Sequence, residues 1–346
     1  MNQENEQSNY EKFLSGLDPK TAKEVRSAAE TETKRFPLAS EGLTRNLGGG
    51  IGAGRITLAY GNQSSGKSLL FMQSVAMWQK MGLVCAWVDA EGVWDKSWAA
   101  RLGVNNEELI LIQSKSAGRI EKKIRPYMEN RIDIVVIDSI SDIMPEVFID
   151  KDGALADPEN RKQLGAHAKA ITGLINGMLF VNDQTAIVLI SQTTTKIEST
   201  YVKQVPHGGQ KVLFASSQII KLTSSGTEGQ QITGEVTLGG RIITAPVGRK
   251  VDAYVEKNKM GPQSLSTKYD IYYAGKFVGI DTFGEIVDFA ELLGVVEKKG
   301  AWFKHTPTDK QYQGRTNLIN ALRDDNELLE LTKKHINMRM TGEVVE

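Results

Sequence analysis

The chain has 346 residues, and its 42 lysines and arginines balance 42 aspartates and glutamates, so the formal net charge is zero. Any contact with nucleic acid must therefore come from a local basic patch rather than from a general excess of positive charge. The length allows two or three domains, and a single cysteine, Cys85, excludes a disulfide within the chain. The amino terminus lacks a signal-peptide pattern and no apolar run reaches membrane-spanning length, so we expect a cytoplasmic protein without a membrane partner.

Residues 1–35 are predicted to form a detachable helical arm. Four apolar residues share one helical face: Tyr10, Phe13, Leu14 and Leu17. Asp18 and Pro19 then have the character of an N-cap and a first-turn proline for a second helix. So little apolar surface does not fold alone, and the arm must dock either on its own chain or on another subunit. The sequence does not decide between these two arrangements.

The stretch 61–68 (GNQSSGKS) has the spacing of a phosphate-binding loop, with a strand-like run before it and a helical pattern after it. In such a loop the backbone N–H groups and the helix N-terminus bind an anion. Lys67 would reach the outer phosphates, and the Ser68 hydroxyl would hold Mg²⁺. The predicted nucleotide-binding residues of this segment are Gly61, Asn62, Gln63, Ser64, Ser65, Gly66, Lys67, Ser68 and Leu69.

From residue 55 to about 223, apolar strands alternate with helical patterns. This order predicts an α/β fold whose mostly parallel sheet is covered by helices on both faces. The predicted strands are 55–60, 84–88, 109–113, 134–137, 186–190 and 219–222. Functional residues are expected at the carboxyl ends of these strands, where an open parallel sheet forms its crevice.

Three strand ends carry candidate functional side chains. Asp138 would hold Mg²⁺ opposite Ser68. Glu91 would polarise the water that attacks the terminal phosphate, although glutamates are also common on any protein surface. Gln192 is suited to contact the γ-phosphate and to relay its loss to the segment that follows.

Two polar segments follow Asp138 and Gln192 in the sequence. Residues from about 146 to 162 and residues 193–210 (TTTKIESTYVKQVPHGGQ) are predicted to be long loops on the crevice side. Nucleotide could order them as it orders switch segments, whereas solvated connectors would have the same composition.

Together these residues resemble the RecA family of DNA recombinases over about residues 37–325. The resemblance rests on the phosphate loop, Asp89-Ala90-Glu91, Gln192, the pair Gly208-Gly209, Lys257-Asn258-Lys259 and residues 300–303 (GAWF). A hexameric ring helicase or other ring ATPase of the same fold lacks this set, and a nucleotide-binding protein that only coats DNA is a further alternative.

The resemblance implies a role for each matching residue. Glu91 matches the catalytic glutamate, and Gln192 matches the allosteric sensor. Lys67 of the phosphate loop is the third residue of this chain expected to take part in catalysis at the site. Asp95 and Trp98 match the positions that hold the adenine of ATP, by hydrogen bonding and by stacking.

Three further residues match positions that act between subunits. Phe214 matches an aromatic residue that relays nucleotide state to the neighbouring subunit. Lys257 and Lys259 match a pair of lysines that reaches the phosphates of ATP on the adjacent protomer, so hydrolysis would depend on assembly.

The two polar segments match the loops that hold single-stranded DNA along a filament axis. The expected DNA-binding residues are Arg161, Lys162, Lys196, Lys203, His207, Gly208, Gly209 and Lys211. Because Tyr201 is the only aromatic residue of the second segment, we expect mainly phosphate contacts that weaken with salt.

The implied function is a single-stranded-DNA-dependent ATPase that uses ATP and Mg²⁺, forms a helical filament and exchanges the strand with homologous duplex DNA. Single-strand binding and loader proteins are expected as further partners.

The expected architecture is the arm (1–35), a phosphate-loop NTPase core of the RecA type (36–268) and a small α+β carboxyl-terminal domain (269–346). An insertion at 226–250, predicted to be a β-hairpin at Gly239-Gly240, and a short tail without many acidic residues would fit a bacteriophage version.

Overall fold

The structure is a computed structural model that describes residues 8–18, 21, 33–148, 165–198, 201–224, 230–275 and 277–341. The chain divides into two units, Met1–Lys34 and Arg35–Glu346. In the first unit, helix α1 (Asn9–Ser15) begins at Ser8, which forms a capping box with Glu11. The Asp18 side chain accepts a hydrogen bond from the backbone N–H of Thr21, as expected of an N-cap. The rest of the predicted second helix lies outside the described residues, and the docking of the arm stays a prediction.

The second unit is built on an 11-stranded sheet, beside a small two-stranded sheet of β1 (Arg35–Phe36) and β2 (Ile51–Gly52). The strands of the large sheet are β3 (Ile56–Gly61), β4 (Cys85–Asp89), β5 (Ile110–Gln113), β6 (Ile134–Asp138), β7 (Ala186–Glu198), β8 (Tyr201–Pro206), β9 (Gln218–Thr223), β10 (Gln231–Leu238), β11 (Arg241–Asn258), β12 (Leu265–Tyr272) and β13 (Gly279–Ile280). Their order is β13-β12-β11-β9-β3-β7-β6-β4-β5, with β10 beside β11 and β8 beside β7.

The six strands predicted from the sequence form the parallel part of this sheet. All five pairings in the run β9-β3-β7-β6-β4-β5 are parallel, which confirms the predicted fold class. The register aligns the carboxyl ends of these strands: Gly61 lies opposite Gln192, and Asp89 lies opposite Asp138. The residues predicted to bind nucleotide therefore follow strands that end at one edge of the sheet.

Helices cover both faces of the sheet. The helices of this unit are α2 (Glu41–Asn46), α3 (Lys67–Lys80), α4 (Lys96–Arg101), α5 (Ala117–Glu129), α6 (Ala166–Val181), α7 (Gln210–Ala215), α8 (Thr282–Leu292), α9 (Arg315–Asp324) and α10 (Asn326–Thr341). Neighbouring strand residues face opposite layers: Val136 belongs to the core cluster that contains Phe71 of α3, and Ile137 to the cluster that contains Ile124 of α5. None of the helices within the described ranges is long and apolar enough to span a membrane.

The prediction of a long loop over 193–210 is wrong for most of that segment. Strand β7 continues to Glu198 and pairs antiparallel with β8, and residue Gln210 already begins α7. We call residues 193–206 the β7–β8 hairpin. Its β-branched threonines, isoleucine and valines favour extended structure, a signal that the polar composition obscured.

The hairpin predicted at Gly239-Gly240 is confirmed. Leu238 pairs with Arg241, and the two glycines between them have φ values of 57° and 78°. Positive φ at both turn residues is the conformation that a two-residue hairpin turn favours and that glycine adopts without strain. The insertion therefore extends β11 well beyond the pairing that this strand makes with β9 and β12.

The carboxyl-terminal region is a small α+β domain, as predicted. Strands β14 (Val296–Lys299), β15 (Trp302–His305) and β16 (Gln311–Gln313) form an antiparallel sheet, which packs with α8, α9 and α10 around a separate apolar core. The segment from Tyr269, which the sequence analysis assigned to this domain, lies in β12 of the large sheet.

Candidate nucleotide site

The phosphate loop lies between β3 and α3, and its backbone requires glycine at two positions. Gly66 precedes the first residue of α3 and has a φ of 89°, and a Cβ atom there would lie 3.2 Å from Ile271 Cδ1. A Cβ atom at Gly61 would overlap the carbonyl oxygen of Leu222 on the neighbouring strand. The loop is thus held closely against β9 and β12, which fixes the path of its N–H groups.

Lys67 is buried at the mouth of the loop. Its Nζ donates hydrogen bonds to Gly61 O at 3.0 Å, to Asn62 O at 2.8 Å and to Ser65 Oγ at 3.3 Å. Burial lowers the pKa of Lys67, and the negative charges of Asp138 and Glu91 oppose that shift. The ammonium group therefore lies within electrostatic reach of both carboxylates predicted to act on the nucleotide.

Ser68 and Asp138, the two residues predicted to hold Mg²⁺, are in direct contact. The Ser68 hydroxyl is hydrogen-bonded to the Asp138 carboxylate, and burial raises the pKa of Asp138 to about 7 against the effect of that bond. Mg²⁺ is usually held by one or two protein oxygens together with phosphate oxygens and water, and this pair fits that pattern. Within the described ranges, no cluster of three or more His, Cys, Asp or Glu side chains could hold a metal by itself.

Asp89 shapes the turn that carries Glu91. Its carboxylate accepts hydrogen bonds from the N–H groups of Gly92, Val93 and Trp94 and from Gln113 Nε2. Burial alone would raise the pKa of Asp89, but these four donors stabilise the charged form and lower its pKa below the usual value. The first carboxylate of the Asp89-Ala90-Glu91 motif thus has a structural role that the sequence did not reveal.

Glu91, two residues after β4, and Gln192, within β7, are brought together in the fold. The Gln192 Nε2 atom donates to Glu91 Oε1 at 3.4 Å, and the Gln192 N–H donates to Ser141 Oγ at 3.0 Å. The next residue, Thr193, donates from its hydroxyl to Asn62 Oδ1 in the phosphate loop at 2.9 Å. The start of the β7–β8 hairpin is therefore tied to the phosphate loop and to the predicted catalytic carboxylate.

The predicted adenine pair lies at the start of α4. Asp95 is the N-cap of this helix, with Oδ1 accepting from the Trp98 N–H at 2.9 Å. The Arg101 guanidinium lies over the Trp98 ring, 5.3 Å from its centroid. One carboxylate oxygen of Asp95 and one face of Trp98 thus have partners within the chain, and the adenine contact stays a prediction.

The three residues predicted to act between subunits lie together, where α7 meets the end of β11. Lys257 Nζ donates to Leu213 O at 2.8 Å, directly before Phe214, whose side chain is 69% exposed. Burial and the charge of Lys259 lower the pKa of Lys257. Between the two lysines, the buried Asn258 accepts from Met260 N–H and donates to Leu47 O. The sequence did not reveal that Asn258 anchors this end of β11.

The predicted DNA-binding residues fall into separate groups. Arg161 and Lys162 lie outside the described residues. The backbones of Lys196 and Lys203 pair with each other in the β7–β8 hairpin. The His207 N–H donates to Ser191 Oγ at 2.9 Å, which ties the end of that hairpin to the crevice.

Gly208, Gly209 and Lys211 form the turn into α7. Both glycines have positive φ, and a Cβ atom at Gly208 would lie 2.5 Å from Val212 Cγ2. Gly208 is buried, so close packing and backbone conformation explain a glycine at this position. Lys211 is half-buried in the first turn of α7.

Comparison with known proteins decides the family. The profile of the RecA N-terminal domain matches residues 21–278, and that of the RecA C-terminal domain matches residues 284–341. The chain belongs to the RecA family. Protein RecA of Pseudomonas savastanoi is 32% identical over 300 residues, covering 86% of this chain and 79% of that protein.

Further curated relatives and one solved structure match the chain to different extents. Protein RecA of Thermus thermophilus is 31% identical over 315 residues, covering 90% of this chain and 86% of that protein. Protein RecA of Teredinibacter turnerae is 29% identical over 325 residues, covering 92% of this chain and 89% of that protein. A crystal structure of the RadB recombinase matches with a TM-score of 0.47 at 21% identity, covering 67% of this chain and 94% of that one.

Proposed function

We propose that the chain is an ATP-dependent DNA recombinase, which assembles as a helical filament on single-stranded DNA and exchanges that strand with homologous duplex in recombination and repair. It would act in the cytoplasm of a bacterium or of a bacteriophage host. Membership of the RecA family supports the class of activity. The observation that carries the proposal is the hydrogen bond between Gln192 and Glu91, because it joins the β7–β8 hairpin to the water-activating carboxylate.

In this proposal, each residue of the site has one task in hydrolysis. Glu91 accepts a proton from the water that attacks the terminal phosphate. Lys67 contacts the outer phosphates from within the loop, and Ser68 with Asp138 hold Mg²⁺, which neutralises part of the phosphate charge when bound. Asp95 and Trp98 orient the adenine at the start of α4.

Assembly completes the site. Lys257 and Lys259 reach the phosphates of ATP bound to the adjacent protomer, and the exposed Phe214 passes nucleotide state across the same interface. Cations supplied by a neighbour stabilise charge that develops in phosphoryl transfer, so isolated subunits hydrolyse ATP slowly. The amino-terminal arm docks either on its own chain or on the next subunit, and only the second arrangement contributes to polymerisation.

DNA is held by the β7–β8 hairpin, by the turn at Gly208-Gly209 and by the segment from about 146 to 162. The basic residues of these segments follow the phosphates without reading bases, which suits a protein whose partner strand is selected by base pairing. Single-strand binding and loader proteins would act with the filament. Loss of the γ-phosphate releases Gln192 and loosens the hairpin.

Phosphate release with and without single-stranded DNA tests the proposal. The wild-type protein is expected to be stimulated strongly by DNA, and Glu91→Gln is expected to keep ATP-dependent DNA binding while losing roughly 100-fold or more in turnover. Glu107→Gln is a matched control, because Glu107 is exposed and pairs only with Lys96 among the described contacts. Phosphate release that DNA does not stimulate, or closed rings instead of filaments in electron micrographs with a slowly hydrolysed ATP analogue, would contradict the proposal.

A further inference from the structure

Strand β11 passes the phosphate loop on its way from the inserted hairpin to the lysines Lys257 and Lys259. At that point Arg249 Nη1 donates a hydrogen bond to Ser64 O at 2.9 Å. Ser64 has a φ of 58°, a left-handed conformation that is uncommon for residues other than glycine. Arg249 therefore holds the most unusual non-glycine residue of the loop in place.

The guanidinium of Arg249 is fixed on two sides. Its carbon lies 5.5 Å from the centroid of the Tyr273 ring, in a cation–π contact. In the β11–β12 pairing Arg249 lies opposite Ile271, whose side chain also approaches Gly66 of the phosphate loop. Residues opposite each other in an antiparallel pair lie on the same face of the sheet, so Arg249 and Ile271 both face the loop.

The charge of Arg249 has no carboxylate partner within ion-pair distance among the residues that the structure describes. A guanidinium carries five N–H donors, and the described contacts use one of them, the bond to Ser64 O. Arginine suits phosphate recognition because its planar group can donate two parallel hydrogen bonds to one anion. A half-buried cation with unused donors thus lies against the loop that is expected to hold phosphates.

We propose that Arg249 is a phosphate-binding residue that each subunit supplies to its own nucleotide. This inference rests on the proposed nucleotide site and adds a cation to it. Lys67 acts from within the loop and the pair Lys257 and Lys259 acts from the neighbouring protomer, whereas Arg249 acts on the same chain from strand β11. Arg249 should therefore increase the affinity for ATP and ADP even in an isolated subunit without DNA.

Calorimetry of the DNA-free protein distinguishes two effects of Arg249 on nucleotide affinity. One is its positive charge, and the other is its hydrogen bond to the phosphate loop. Arg249→Gln removes the charge but retains a donor for Ser64 O, and Arg249→Lys keeps the charge. We expect Arg249→Gln to weaken ADP binding about tenfold and Arg249→Lys less than threefold, with a shallower dependence on salt for the glutamine variant. Lys250→Gln is the matched control, because Lys250 is exposed and is the next residue on the opposite face of the strand. Wild-type affinity in Arg249→Gln, or an equal loss in Lys250→Gln, would overturn the proposal.

A second measurement uses the wild-type protein and does not depend on the folding of any variant. Phenylglyoxal modifies accessible arginines, and mass spectrometry locates the modified residues. We expect ADP to protect Arg249 while Arg241, which is exposed in the inserted hairpin, is modified equally with and without ADP. Equal modification of Arg249 in both samples would overturn the proposal. Neither measurement contains DNA, so a failure of DNA-stimulated hydrolysis would contradict the recombinase function without touching this inference.

Discussion

The side-chain amide of Gln192 donates a hydrogen bond to the carboxylate of Glu91, with Nε2 and Oε1 3.4 Å apart. Glu91 lies two residues after the end of β4, and Gln192 lies within β7, directly before the β7–β8 hairpin. A movement of the Glu91 carboxylate can therefore affect the β7–β8 hairpin through the side chain of Gln192 alone. The proposed coupling between ATP hydrolysis and DNA binding is a consequence of this arrangement.

Gln192→Ala is expected to uncouple the two activities. Nucleotide affinity without DNA should stay within about threefold of the wild-type value, because the phosphate loop keeps its contacts, whereas stimulation of hydrolysis by DNA should fall at least about tenfold. Calorimetry of the DNA-free protein measures the nucleotide affinity, and phosphate release across a DNA titration measures the stimulation. Gln184→Ala is the control, because Gln184 precedes the amino-terminal end of the same strand and bonds Arg131 O. Full stimulation in Gln192→Ala would contradict the coupling.

The bond from Thr193 to Asn62 gives a second link between hairpin and phosphate loop. Thr193→Val keeps the shape and β-branched character of the side chain but removes the hydroxyl. We expect the increase in DNA affinity caused by ATP to drop about fivefold, the value of one neutral hydrogen bond of about 1 kcal/mol. Thr193→Ser should behave like the wild type, because it retains the hydroxyl. Fluorescence anisotropy of labelled single-stranded DNA, with and without a slowly hydrolysed analogue, measures this change, and equal behaviour of both variants would argue against the link.

Magnesium dependence should follow the protonation of Asp138. Because burial raises its pKa to about 7, the carboxylate is largely protonated below that pH and must lose a proton to bind the metal. The apparent affinity for Mg²⁺ in the presence of ATP should therefore increase roughly fivefold between about pH 6 and pH 7 and level off above about pH 8. Asp138→Asn should weaken Mg²⁺ binding and remove this pH dependence. An unchanged slope in the variant would assign the titration to another group.

The raised pKa of Asp138 also predicts how the stability of the metal-free protein depends on pH. A carboxyl whose pKa is raised on folding contributes stability below its unfolded pKa, and that contribution is lost as the pH rises through about 7. Asp138→Asn is therefore expected to raise the unfolding temperature above pH 7 in the presence of a chelator, and to have a clearly smaller effect near pH 5. A lower unfolding temperature of the variant at high pH would contradict this account of the buried carboxylate.

Glu285 links the carboxyl-terminal domain to the ATPase core. From helix α8 it accepts hydrogen bonds from Ser40 Oγ at 2.7 Å and from the N–H groups of Glu41 and Gly42, both at 3.2 Å. Burial raises its pKa to about 8, so its contribution to stability is lost as the pH rises through that value. Glu285→Ala leaves three donors without a partner and should cost roughly 3 kcal/mol. Glu285→Gln should keep most of the stability and flatten its pH dependence between about pH 5 and pH 8, as measured by denaturant unfolding.

The parallel sheet could be predicted from the sequence because its strands are short, apolar and separated by helical patterns. The phosphate loop was predicted from its motif spacing, and Asp138 and Glu91 were candidates because the carboxyl ends of such strands meet at one edge. The sequence did not predict the β7–β8 hairpin because its threonines and lysines are polar, and a long polar run is typical of a loop. In the structure this segment is extended and pairs with a neighbouring strand.

Contacts between distant segments could not be predicted from the sequence. Arg249 reaches Ser64 across 185 positions, and Thr193 reaches Asn62 across 131, because β11 and β7 return to the loop only in the folded sheet. No local pattern marks these residues. The resemblance to the family supplied roles for residues that match its motifs, but Arg249, Asp89 and Thr193 acquire theirs from the geometry of this chain.

The central claim is that ATP is hydrolysed between two subunits, with Glu91 on one and Lys257 with Lys259 on the next. Mixing two inactive variants tests it most directly. Glu91→Gln supplies the lysines, and the double variant Lys257→Ala with Lys259→Ala supplies an intact Glu91. In a head-to-tail filament assembled from equal amounts, about a quarter of the interfaces combine both intact halves. DNA-stimulated phosphate release should therefore recover to roughly a quarter of the wild-type rate. A mixture as inactive as either variant alone would contradict the claim.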